Sequence, residues 1–309
     1  MQYVTVIWRS PKPAEYPINT KKLYIDVHDA IGKGEFNESR LEKIDKIFVK
    51  SKAHRDLYPD VPDEKFVIVP NGVDLSLFDT ACEECDEEKC PHGQPKRNEY
   101  MIVNFSSPDR SLSAAMEIFL QAKNRVSKDI QKKMKFVWNY GWQVFDSIRI
   151  SAQEKQWSEL VKRKFEAMKK AGEAEGGERI NHAQIAKMNL EAGALLYPSE
   201  FYEIDWIGGS KAQIGGAVVI TAGFAAQGEK TKYGIKIPSK KTIDNWADIE
   251  GCDYSIKDPE QIEMFVNALV DYLENTHKFE KMRLEMKEWA QGKYNLEAVA
   301  DVWHEELKS

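Results

Sequence analysis

The sequence predicts an α/β fold of two doubly wound halves, and three observations carry that expectation. Short uninterrupted apolar runs alternate with stretches of helical period, which is how parallel strands covered on both faces read. The alternation breaks between residues 79 and 98, where the chain turns acidic and then basic with no apolar periodicity. A second alternating series begins directly afterwards.

In the first series VTVIW, KLYIDV, the start of KIFVKSKAHRDLY, and KFVIVP read as strands, closing at the turn-prone stretch Pro70 to Asp74. In the second, YMIVNF is a strand, Leu112 to Val126 an amphipathic helix, KFVWNYG a strand and Ala152 to Ala171 a long charged helix. The helical HAQIAKMNLEA follows, then the strand ALLYP, a loop and helix through Gly209 to Gln213, and the strand AVVIT. Pro259 to Lys308 is helical in period, and Trp289, Tyr294 and Trp303 are placed to pack closing helices onto the body. Domain boundaries are therefore expected at 1–78, 79–98 (linker or insertion), 99–288, and 289–309, the last as a C-terminal helix packing back.

With 309 residues and 42% hydrophobic content, the chain can bury a core in each half. A net charge of -6 argues against a broad basic face for nucleic acid but leaves room for a local phosphate pocket. The apolar stretch near the start is too short for a signal segment or a membrane span, so the expected location is cytoplasmic, without integral membrane association. Cys82, Cys85, Cys90 and His92 crowd into the linker and offer four ligands of the type and number that suit a closed structural zinc site.

Ligands bind open α/β sheets at the carboxyl ends of the strands, where helix N-termini present free N–H groups. Three turns of the second half carry distinctive residues there. Phe105 to Arg110 brings Ser106, Ser107 and an arginine suited to a diphosphate. Tyr140-Gly141-Trp142 joins two rings to a glycine that permits close approach. Pro198 to Ile204 contains Tyr202 and Glu203 and leads into Gly208 to Gln213, which contains Lys211.

The order VPNGVD, SSPDR, YGW, YPSEFYEI and KAQIGGAVVIT resembles retaining GT-B glycosyltransferases, the group 1 or family 4-like kind, and most closely a bacterial and phage branch. The resemblance implies two Rossmann-like domains facing across a cleft, the N-terminal one on the acceptor side and the C-terminal one holding a nucleoside diphosphate sugar. It implies that Glu203 lies by the donor sugar. Where the wider family has a second Glu to hold the ribose, this chain has Lys211, which cannot accept hydrogen bonds from ribose hydroxyls, so either it serves the phosphates or the ribose is held otherwise. His28, after the strand KLYID, is similar to the family's histidine facing the donor across the cleft. Ile180 and Asn181 fall where the base is recognised, and Tyr202 and Ile204 flank the glutamate.

The family's opening strand, glycine-rich turn and helix have no counterpart, so the first domain is expected to be shortened, with a partner chain or oligomer as one way of completing it. The implied reaction is transfer of a sugar to an acceptor hydroxyl of a glycan, lipid, protein or modified base. It proceeds with retention and without a required cofactor or divalent metal, because Arg110, Lys211 and helix amides meet the charge of the leaving diphosphate. Two alternatives stand beside it. One is a nucleotide-sugar-binding subunit inactive alone, and the other is a sugar-nucleotide epimerase, for which only His28 and Glu203 present themselves.

Overall fold

The computed structural model describes residues 2–79, 96–148, 151–245, 247 and 252–308. The first series forms a sheet of four parallel strands, β1 (Gln2–Trp8), β2 (Thr20–Asp26), β3 (Lys46–Val49) and β4 (Phe66–Ile68), side by side in chain order. Its connections carry two short helices, α1 (Glu38–Leu41) and α2 (Lys52–Asp56). Asn37 and Ser51 cap them, each accepting a hydrogen bond from a first-turn amide that would otherwise lack a partner.

The second series runs β5 (Asn98–Asn104), α3 (Pro108–Arg125), α4 (Lys128–Lys133), β6 (Lys135–Trp138), α5 (Gln143–Ile148), α6 (Ala152–Lys170) and β7 (Ala174–Gly176). It continues with α7 (His182–Glu191), β8 (Ala192–Tyr197), α8 (Ile207–Gly215), β9 (Val218–Ala222), α9 (Ala225–Glu229) and β10 (Ile235–Ile237). The six strands are parallel and ordered β10-β9-β8-β5-β6-β7. The winding direction reverses between β5 and β8, and that switch point opens a crevice at their carboxyl ends.

Local chemistry sets the helix ends. α3 starts a turn earlier than the apolar period suggests, because Ser107 takes the N-cap position and Pro108, with no N–H to satisfy, fits the first helical position. α6 is fixed by a capping box between Ser151 and Glu154. The edge strands β7 and β10 have three residues each, too few to show a period, and the sequence reading missed them.

The chain crosses between the sheets twice. Val73 and Phe78 pack with Ala186, Leu190, Ile214 and Ala290 of the second half. At the other end α10 (Pro259–Glu274) and α11 (Glu280–Tyr294) cover the second sheet, and α12 (Leu296–Lys308) returns to the first. There Trp303 stacks on Phe48 with centroids 3.9 Å apart, and Tyr24 donates from its hydroxyl to the Glu306 carbonyl at 3.1 Å. The expected boundary before residue 289 thus falls inside α11, and the chain turns back at Asn295 instead. Cys82, Cys85, Cys90 and His92 lie outside the described residues, as does most of the 79–98 linker.

Candidate functional site

At the switch point a cavity of about 220 Å³ is lined by Phe105, Ser106, Ser107 and Arg110 after β5, Tyr140 after β6, Leu195, Tyr197 and Glu203 from β8 and its loop, and Trp206, Ile207 and Gly208 at the start of α8. The turn after β5 is held by the buried Asn104. Its amide donates to Ser111 Oγ at 2.8 Å and to the Leu196 carbonyl at 2.9 Å, while its oxygen accepts from the Ser106 amide and hydroxyl. The Ser106 hydroxyl is therefore used within the turn, whereas Ser107 leads into α3 without a side-chain cap bond.

Arg110 sits on the first turn of α3, where the helix dipole disfavours a cation. Glu203 offsets this: Arg110 Nη1 donates to Glu203 Oε1 at 2.7 Å. Phe201 stacks beneath the guanidinium at 4.1 Å. Burial lowers the Arg110 pKa, but the neighbouring Glu203 carboxylate outweighs it and leaves the value above the ordinary one. About a third of the side chain stays exposed to the cavity (35%), so the cation is available to an anion.

Glu203 is nearly buried, and the same Oε1 also accepts from the Tyr197 hydroxyl at 2.6 Å. The loop around it is bracketed by the first half. Tyr202 donates from its hydroxyl to the Ala53 carbonyl at 2.8 Å, Ser51 Oγ donates to the Ile204 carbonyl at 2.6 Å, and Asn71 Nδ2 donates to Asp205 at 2.6 Å. Glu229 adds two bonds at 3.0 Å from the amides of Lys52 and Ala53 at the start of α2. Tyr202 and Ile204 are thus interface residues that hold the loop and do not line the cavity.

The other expected residues divide likewise. Tyr140 lines the cavity, and the Arg179 guanidinium lies over its ring at 5.9 Å. Gly141 has φ +88°, and a Cβ there would come within 3.1 Å of Arg179, so the glycine allows that approach. Trp142 packs on Trp138 at 4.7 Å, away from the cavity. Asn181 spends its side chain capping α7 through Gln184, and Ile180 precedes it outside the cavity wall.

Lys211 is buried one turn beyond Ile207 on the same face of α8, in its second turn. Burial lowers its pKa, and no carboxylate of the described residues pairs with it. His28 stands on the first half, bonded through Nε2 to Asp26 at 2.7 Å, and Asp26 is bonded in turn by Lys50 at 2.6 Å. It lies edge-on to Trp8 and outside the cavity wall.

The sequence reading missed Tyr197 and Trp206. Strand alternation was the available signal for Tyr197, since it shares a face with Leu195. Trp206 gave none: it adopts the left-handed conformation (φ 57°) and stacks near Tyr197 at 5.2 Å. Among the described residues, no group of three or more His, Cys, Asp or Glu is placed to hold a metal ion. No helix of the described residues is long and apolar enough to cross a membrane.

No family model and no curated protein sequence matches this chain. Solved structures do match, and they fix the fold as GT-B. HepE from Anabaena, solved with UDP and glucose, superposes with a TM-score of 0.63 at 12% identity, over 93% of this chain and 71% of HepE. Sucrose-phosphate synthase from Thermosynechococcus elongatus gives 0.64 at 14% identity, over 98% and 73%. The pneumococcal O-GlcNAc transferase GtfA, solved with UDP and GlcNAc, gives 0.63 at 11% identity, over 98% of this chain and 56% of GtfA.

Proposed function

We propose that the chain is a glycosyltransferase that seats a nucleoside diphosphate sugar in the switch-point cavity and passes the sugar to an acceptor hydroxyl with retention. The observation that carries this reading is the Arg110–Glu203 pair. It puts a part-exposed cation and a carboxylate side by side at the carboxyl ends of β5 and β8, where a helix N-terminus adds its own positive potential. The fold shared with proteins solved with UDP and with UDP and sugars supports the same ligand class.

In this reading the bond from the anomeric carbon to the diphosphate oxygen breaks, and negative charge grows on the departing phosphate. Arg110, the first amides of α3 and Lys211 meet that charge, so the reaction requires no divalent metal. The acceptor oxygen forms the new bond to the anomeric carbon, and its proton passes to the departing phosphate. Glu203 accepts from donor hydroxyls, and Ser107 and Tyr140 line the seat of the donor. His28 approaches the donor sugar from the first half, which serves as the acceptor side. The protein works in the cytoplasm.

The test is release of nucleoside diphosphate from UDP-glucose, UDP-GlcNAc, GDP-mannose and ADP-glucose. Release above the buffer rate from one donor, reduced at least about a hundred-fold in Glu203→Ala, supports the transferase. Tight binding without release would make the chain a nucleotide-sugar-binding subunit instead.

A further inference from the structure

Glu203 offers two oxygens, and the structure treats them differently. Oε1 accepts from both Arg110 Nη1 and the Tyr197 hydroxyl, whereas Oε2 has no hydrogen bond among the described residues. Tyr197 is buried at the end of β8, beneath Trp206. Its ring packing alone would be met equally well by phenylalanine, so the buried hydroxyl calls for another explanation. A hydroxyl taken out of water costs stability unless it is bonded.

It has such a bond. The phenol donates to Glu203 Oε1 at 2.6 Å, and beside it the Phe201 amide donates to Ser199 Oγ at 3.1 Å. A carboxylate only accepts, so the phenol proton points at Glu203. Burial, and next the charge of Glu203, push the Tyr197 pKa well above its ordinary value, so the group remains a donor throughout the neutral range.

We propose that Tyr197 is a positioning residue of the donor site, its hydroxyl pinning Oε1 of Glu203 so that Oε2 is the oxygen turned to the sugar. This rests on the donor-site reading above. The phenol acts through Glu203. It limits rotation of the carboxylate, which Arg110 alone cannot do once a diphosphate competes for the guanidinium.

The experiment uses the full chain with Tyr197→Phe, Glu203→Ala and the double variant. In thermal unfolding the losses should fail to add, Tyr197→Phe costing little once Glu203 is absent. In calorimetry Tyr197→Phe should bind UDP within about two-fold of the native chain yet bind UDP-glucose about ten-fold more weakly, the cost of one hydrogen bond.

Additive unfolding losses would overturn the contact. Equal weakening of UDP and UDP-glucose, or none, would reduce Tyr197 to a packing residue. Binding of none of UDP, GDP, ADP and their sugar conjugates by the native chain would overturn the donor-site reading and the positioning role with it; if GDP or ADP is the nucleotide bound, the same split is read with that nucleotide and its sugar conjugate. That failure is recognisable because the non-additive unfolding would persist.

Discussion

Arg110 and Glu203, 93 positions apart in sequence, meet through one 2.7 Å hydrogen bond that ties the first turn of α3 to the loop after β8. The two ends are unequal, because Glu203 is nearly buried while Arg110 is about a third exposed. Screening weakens the pair at the arginine end, so the larger cost of breaking it falls on the carboxylate. Arg110→Ala leaves Glu203 with Tyr197 as its donor and is expected to cost about 1–3 kcal/mol in urea unfolding. Arg110→Lys should not restore the native value, because an ammonium lacks the planar face that Phe201 stacks against.

Lys211 should behave oppositely. A buried cation with no paired carboxylate among the described residues costs stability, and a methionine of similar length removes that cost. Lys211→Met is predicted to raise the melting temperature of the free chain while weakening its response to nucleoside diphosphates. A loss of stability with unchanged ligand response would contradict the phosphate role.

Away from the cavity, His54 gives a pH prediction. It is fully buried, accepts at Nδ1 from the Lys50 amide and lies 3.3 Å from the Asp29 carbonyl through Nε2, so it is held neutral with its proton on Nε2. Burial is the main cause that lowers its pKa from 6.5 to about 4. Above about pH 6.5 neither the folded nor the unfolded state binds the proton, and the site costs nothing. As pH falls from there towards 4 the unfolded chain takes up a proton that the folded chain refuses, so stability is lost progressively, on the order of 3 kcal/mol in all. Urea unfolding across that range should show the slope, and His54→Gln should flatten it.

Joining the two sheets, the C-terminal helix gives a stability prediction. Trp303 stacks on Phe48, which is fully buried in the first sheet. Trp303→Ala uncovers that face and should cost towards the lower end of the about 3–5 kcal/mol typical of lost buried aromatics, since Trp303 is itself only partly buried. Hydrogen exchange should show β2 and β3 losing protection before β5 and β8.

Much of this architecture was legible in the sequence, because parallel strands leave continuous apolar runs and α/β chains alternate regularly. The strands of the first half and β5, β6, β8 and β9 all announced themselves in that way. Turn chemistry also marked Ser106, Ser107, Arg110, Tyr140 and Glu203, which the structure brings to one cavity. What stayed hidden was the partnership of each residue. The Asn181 side chain caps α7, Trp142 packs on Trp138, and the Tyr202 hydroxyl bonds to the Ala53 carbonyl. Strand alternation could put Tyr197 on the cavity face beside Leu195, but its bond to Glu203 forms only when the loop after β8 folds back.

The central claim is that the switch-point cavity holds a nucleoside diphosphate through Arg110. Calorimetric titration of the native chain and of Arg110→Ala with UDP, GDP and ADP tests it most directly. The account predicts saturable binding of one of the three to the native chain, weakened at least about ten-fold in Arg110→Ala. Equal binding by both proteins, or no binding of any of the three by the native chain, would contradict it.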